Sequence, residues 1–211
     1  MIVFTHTNFI YDKDRIFRQL HLKESENVTK YTHQVFPKLI QLAQENLEIT
    51  TCYSLQENSP HLGLPNIDCC KYVVLCFCSC SDKINLLIDD LIRNHQFLDG
   101  FLLNHISNEL LFNASNQMNS QLENTLIRLG LRLTKRHSPG EEKIDLKFQR
   151  NILKGLVAET PIQARLTETH MLEPEKSMLY YFGADSEIKS HSTKHDCQTC
   201  HSIHCPHRLV D

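Results

Sequence analysis

The stretch CCKYVVLCFCSC, residues 69–80, constrains the fold more than any other part of the chain. Val73, Val74, Leu75 and Phe77 favour a pleated, buried surface, which predicts a strand. Alternation along a strand puts Cys76, Cys78 and Cys80 on one face. Three thiols in a row suggest a metal rake, but the spacing is wrong for one. Side chains two residues apart on a strand lie ~6.6–6.8 Å apart along it. A zinc ion needs its sulfurs at ~2.3 Å in a tetrahedron. One metal would take all three only if the strand bent. These cysteines are therefore expected as small core hydrophobes, with a cysteine-lined cofactor pocket as the competing reading.

Helical periodicity surrounds this strand. Asp12 to Leu22 reads as a short amphipathic helix. Val28, Tyr31, Val35, Leu39, Leu42 and Ala43 recur at helical spacing, with Ser25 as a candidate cap. Pro37 falls inside that pattern and should kink or interrupt it. EITTCYSL is a predicted strand, and QENSPHLGLPNID a loop. Ser81 is expected to cap the next helix, with Asp82 at its positive end and a stripe of Ile84, Leu87, Ile88, Leu91 and Ile92. Phe97 to Leu129 gives one or two further helices, and Gly130 suits the position just past a helix end. LRLTKR reads as a strand, HSPGEEKI as a turn, and Asp145 as the cap of a helix LKFQRNILKGL. PIQARLTETHML and SMLYYFGA are strands around a break at Pro174. Their connection is too short for a helical crossover, so they should run antiparallel. The class is α+β: a mixed, largely antiparallel twisted sheet with flanking helices. Residues 1–185 are expected to form one domain, with N-terminal helices within 12–45. Residues 186–211 read as a polar lead-in and a Cys/His-rich tail.

Composition narrows the functions. A chain of 211 residues buries roughly 70% of its unfolded surface without disulfides. A net charge of −3 gives no basic excess for nucleic acid. No apolar stretch reaches the ~20 residues of a membrane span, and the start lacks the regions of a signal peptide. The nine cysteines are odd in number and clustered. A reducing, cytoplasmic setting with free or metal-bound thiols fits them best.

The tail reads CQTCHSIHCPHR. Cys197, Cys200 and Cys205 bring three thiolates into chelating reach, and a Cys-x2-Cys knuckle is a strong local metal signal. Metal binding would keep them deprotonated. The fourth ligand could be His201, His204, His207 or His195. Three Cys and one His suit zinc. Three Cys with an open position suit an iron–sulfur cluster. Free, redox-labile thiols are the alternative.

Two stretches carry a resemblance to a known family: LRLTKRHSPGEEKIDLKFQRNIL (131–153) and ARLTETHMLEPEKSMLYYFGAD (164–185). Their order is an Arg-x-Ser-Pro-Gly turn after a strand, a helix, then a Leu-Thr-Glu strand pair ending in Tyr-Phe. This resembles the activation domain of vitamin B12-dependent methionine synthase, and more closely the small free-standing proteins similar to it, over about residues 70–208. The resemblance implies binding of S-adenosylmethionine. It implies a corrinoid-dependent methyltransferase such as methionine synthase as partner, with cobalamin on that partner, and a flavodoxin-like or other electron donor. The methyl donor would trap the reduced cobalt.

By the same resemblance, Arg136, Tyr181 and Phe182 match ligand-contacting positions. Arg136 suits a two-pronged contact with a carboxylate. Ser138, Pro139 and Gly140 offer backbone groups at close range. Tyr181 and Phe182 alternate across a strand, so only one ring can face the ligand. Glu168 and Thr167 form a second tier, and Ser177 is expected to make a structural hydrogen bond. The chemistry is positional, so no catalytic residue is assigned, and His137 and His170 are expected at the surface or in packing. Each feature also has a plain structural reading: Arg136 paired with Glu141 or Glu142, Ser-Pro-Gly as an ordinary turn, and Tyr180 to Phe182 as core. The chain departs from the family at Glu141, where a Tyr is usual. Its cysteines at 76, 78 and 80 stand where Ala, Thr or Gly is commoner. These departures favour the alternative of a diverged, zinc- or iron–sulfur-binding interaction protein that has lost the ligand. A cluster in the tail, if present, could instead pass an electron to the cobalt.

Overall fold

In the computed structural model, which describes residues 2–6, 11–20, 26–141, 143–158, 162–189 and 191–193, the cysteine-rich run is the middle strand of a five-stranded sheet. In chain order the elements are β1 (Ile2–His6), α1 (Lys13–Gln19), α2 (Glu26–Asn46), β2 (Ile49–Glu57), β3 (Tyr72–Cys80), α3 (Lys83–Arg93) and α4 (Phe97–Arg128). Then follow β4 (Arg132–Leu133), a 3-10 turn (Leu146–Phe148) leading into α5 (Gln149–Val157), β5 (Arg165–Leu166), β6 (Leu172–Glu173) and β7 (Ser177–Asp185). The sheet order is β1-β2-β3-β7-β4, and every neighbouring pair is antiparallel. The class is α+β as expected, with an antiparallel rather than mixed sheet.

β3 is covered on both faces, which is why it reads as a nearly unbroken apolar run. Val74, Cys76, Cys78 and Cys80 pack with Tyr180, Phe182 and the apolar sides of α2, α3 and α4. Val73, Leu75 and Phe77 pack with Leu179, Tyr181, Ile67 and with Ile152 and Leu156 of α5. The three alternating cysteines do share one face, and it is core. Burial pushes the Cys76 thiol well up, Cys78 up to about 11 and Cys80 up to about 12. Thiols held neutral in this way are poor nucleophiles and poor metal ligands.

Several local expectations are corrected. Pro37 does not interrupt α2, which runs unbroken through it. Thr32 and Phe36 before it, and Leu39, Ile40 and Ala43 after it, are all buried. Both halves of the helix are therefore pinned to one core while Pro37 itself faces solvent. An interior proline forfeits a helix hydrogen bond at a cost of ~3 kcal/mol, and its stiffness in the unfolded chain returns part of that. Pro37→Ala is expected to stabilise the protein by about 2 kcal/mol, read as a higher urea midpoint with unchanged slope.

Ser81 does not cap α3. Asp82 occupies that position without a side-chain cap bond, and the Ser81 N–H is spent on the Glu48 carbonyl at 2.9 Å. Residues 97–128 form one helix, not two, and Gly130 follows it with φ +74°. Asp145 caps as expected, its Oδ1 accepting from the Lys147 N–H at 2.9 Å. The 161–172 strand shrinks to β5, which pairs with β6 in a separate ribbon instead of joining β7. A turn closed by Thr167 N–H to Met171 O at 2.9 Å, with His170 at φ 65°, folds the segment back on itself first. β1, a strand the sequence reading did not assign, pairs along β2. Ser25 lies outside the described residues. Among the described residues no helix is long and apolar enough to cross a membrane.

Candidate functional site

The Arg136–Gly140 turn is set by how β4 leaves the sheet. The Thr134 N–H donates to the Gly183 carbonyl at 3.0 Å, and the Gly183 N–H returns to Thr134 Oγ1 at 2.9 Å. His137 and Tyr181 then exchange two backbone hydrogen bonds of 2.9 Å. Beyond His137 the chain swings away. Glu141 N–H donates to Ser138 O at 3.0 Å, and Gly140 N–H to Ile144 O at 2.8 Å. Gly140 holds φ +89°, a conformation that L side chains resist. Among the described residues no strand continues along β7 past the His137–Tyr181 bridge on this side. The turn therefore stands beside an open strand edge.

Arg136 reaches back toward the helix-covered face. Its side chain is only 8% exposed, and its guanidinium lies over the Tyr180 ring at 5.0 Å. Nη2 stands 3.5 Å from Glu141 Oε1, a loose contact. Its Nε, and the Oγ of the buried Ser138, are enclosed without a hydrogen-bond partner among the described residues. Each such atom costs ~1–3 kcal/mol.

The rings of Tyr181 and Phe182 are both fully buried, on opposite faces. Tyr181 stacks on His137 at 5.3 Å and donates its hydroxyl to Pro65 O at 2.9 Å. Phe182 meets Tyr180 edge-on at 5.8 Å. A ligand along β7 would thus meet backbone and the Arg136 fork rather than an open ring face. Glu168 is exposed on the turn joining β5 to β6, and Thr167 Oγ1 is used to accept from Met171 N–H. Ser177 makes the structural bond expected of it, 2.7 Å to Ser79 Oγ.

The sequence reading missed a buried polar network centred on Tyr180. Its hydroxyl donates to Asn119 Oδ1 at 2.9 Å, lies 2.9 Å from Ser115 Oγ and contacts Cys78 Sγ at 3.7 Å. Burial is the main reason its pKa lies well above the usual tyrosine value. The signal available was Ser115 and Asn119, four apart and so on one face of α4, beside the apolar Leu111, Met118 and Leu122. Asn119 Nδ2 also donates to Thr193 O at 3.3 Å, and His191 N–H donates to Leu133 O at 3.2 Å. Residues 191–193 are thereby held beside the β4 edge. The Cys197, Cys200 and Cys205 set and its histidine candidates His195, His201, His204 and His207 lie outside the described residues. Among the described residues no group of three His, Cys, Asp or Glu is placed to hold a metal ion.

A larger cleft of about 1040 Å³ opens elsewhere, lined by Glu48, Thr50, Cys52, Phe77, Glu173 and Glu175 among others. It contains none of the residues nominated from the sequence for S-adenosylmethionine or for a metal, though Cys80 lines it. Near the turn, Gly183 has no room for a side chain: an added Cβ would stand 2.5 Å from Cys70 Sγ and 3.0 Å from Ile67 Cγ2. Gly183→Ala is expected to cost ~1–3 kcal/mol by overpacking, and adding Cys70→Ala should restore most of it in a thermal melt.

The sequence matches no family model and no curated protein. A solved structure does match: the crystal structure of the MetH reactivation domain bound to AdoHcy, with a TM-score of 0.63 and 12% identity, covering 92% of this chain and 81% of that chain. The fold is thus that of the MetH reactivation domain, a curled antiparallel five-stranded sheet with flanking helices. At 12% identity the likeness is one of fold.

Proposed function

We propose that this chain binds S-adenosylmethionine at the Arg136–Gly140 turn and supports reductive reactivation of a corrinoid-dependent methyltransferase, such as methionine synthase. The observation that carries the reading is the pair of enclosed polar atoms, Arg136 Nε and Ser138 Oγ, without a hydrogen-bond partner among the described residues and beside the open edge of β7. The ligand's carboxylate would engage the Arg136 fork, and its polar groups the strand edge and the turn. The fold likeness to a domain bound to AdoHcy supports the same ligand class.

Electrons would come from a flavodoxin-like or other donor to the cobalamin of the partner, and the methyl group would pass from the sulfonium to the reduced cobalt, leaving S-adenosylhomocysteine. This chain's part is to bind and orient the donor; position alone can be worth several kcal/mol. The cytoplasm is the setting that fits such a partner. The cysteines 197, 200 and 205 would hold zinc or an iron–sulfur cluster.

A second reading is favoured by the Arg136–Glu141 contact. Glu141 would hold the arginine that the ligand needs, leaving a metal-binding interaction protein without the ligand. Calorimetry on the anaerobically prepared full chain separates the two. Binding of S-adenosylmethionine tighter than ~100 μM, about −5.5 kcal/mol, is expected. No heat at millimolar ligand would sink the first reading.

A further inference from the structure

Cys69 and Cys70 play no part in that proposal, yet their geometry is specific. They are adjacent in the chain, with Sγ atoms 3.9 Å apart, and both are free thiols. One is exposed and the other buried. The backbone around them is tied down. Asn58 Nδ2 donates to both Ile67 O and Cys70 O at 2.9 Å. The Cys70 N–H donates to Ile67 O at 2.9 Å, and the Lys71 N–H to Asp185 Oδ2 at 2.9 Å. Cys70 Sγ sits directly on Gly183 of β7, in space that only glycine leaves open. The two sulfurs are held face to face, one toward solvent and one toward the sheet.

We propose that Cys69-Cys70 is a redox modification site that closes to a vicinal disulfide in the presence of a hydroperoxide. The exposed Cys69 sulfur attacks the peroxide, giving a sulfenic acid and releasing the alcohol, or water from hydrogen peroxide. Cys70 Sγ then attacks the Cys69 sulfur. The S–S bond forms, and the hydroxyl leaves as water with the Cys70 proton. The peroxide is reduced by two electrons and the dithiol oxidised by two. The order follows from burial: desolvation pushes the Cys70 thiol up to about 12, so it serves as the resolving thiol and not the first nucleophile. Closure draws Cys70 Sγ toward Cys69 and off Gly183, so it is felt on the strand that carries Tyr181 and Phe182.

The test uses the full chain treated with stoichiometric hydrogen peroxide, then alkylated and mapped by peptide mass spectrometry. The expected result is a peptide spanning residues 69 and 70 that has lost two hydrogens, resists alkylation and regains both thiols with a dithiol reductant. Cys69→Ser, a change at an exposed position, should abolish that species. Cys70→Ala should instead accumulate a Cys69 sulfenic acid that a dimedone probe traps. Should the second variant not fold, the first decides alone. The proposal is overturned if Cys69 is found paired with Cys197, Cys200 or Cys205. It is equally overturned if Cys69 passes to sulfinic acid while Cys70 stays a thiol, or if both remain thiols while other cysteines oxidise.

Discussion

Arg136→Ala is expected to weaken S-adenosylmethionine binding by roughly 10- to 150-fold, the worth of a lost charge-assisted hydrogen bond at ~1.5–3 kcal/mol. Removing the guanidinium also takes away the cation over the Tyr180 ring. The companion change, Glu141→Gln, should move affinity the other way. Its carboxylate is 36% exposed and lies 3.5 Å from Arg136 Nη2, where a ligand carboxylate would compete for the same fork. The contact is loose and its Glu141 end is open to water, so it is worth ~0.2–1 kcal/mol and the gain should be at most about fivefold. Titration calorimetry on the wild type, both single variants and the double variant checks this. Unchanged affinity in Arg136→Ala would remove the turn as the binding site. A gain from Glu141→Gln that persists in the absence of Arg136 would show that the two residues do not compete in the way described.

The largest stability effect is expected far from that turn, where α1 meets α4. Arg15 Nε lies 3.1 Å from Glu109 Oε2, and the Glu109 side chain is 1% exposed. The contact is an ion pair at the edge of the core. Arg15→Ala strands the carboxylate and is expected to cost about 3 kcal/mol at neutral pH. For a chain of this size that lowers Tm by roughly 6–12 °C. Burial, partly offset by Arg15, raises the Glu109 pKa above its ordinary 4.5. The native state therefore keeps a proton that the unfolded state has already lost. Stability from this group is present in acid and falls as pH rises from the unfolded value through the folded one. Without Arg15 the folded pKa rises further. The deficit of Arg15→Ala should thus be smaller at about pH 5 than at about pH 8, by urea unfolding. Adding Glu109→Gln should recover most of it and remove the pH dependence. A pH-independent deficit that survives Glu109→Gln would mean that Arg15 acts by packing its stem and not by its charge.

Local chemistry was legible in the chain before any fold was known. The Gly130 stop, the Asp145 cap and the Gly140 turn each follow from one residue's backbone or side-chain preference, and the strand at 72–80 from its run of apolar residues. So does the common face of Cys76, Cys78 and Cys80. The α+β class followed from connection lengths. The tail's spacing was equally plain, and its cysteines lie outside the described residues. Tertiary structure decided the rest, because it depends on what packs against what. α2 passes through Pro37 because buried residues on either side of the proline hold both halves to one core. β5 pairs with β6 because its turn closes first. Tyr181 and Phe182 are enclosed because both faces of β7 are covered, which no period along one strand reveals. Arg136 gains its setting from residues remote in sequence, Tyr180 and the Asn119–Ser115 pair beneath it. A sequence states which groups a chain carries and at what spacing. Only packing determines which of them lose water.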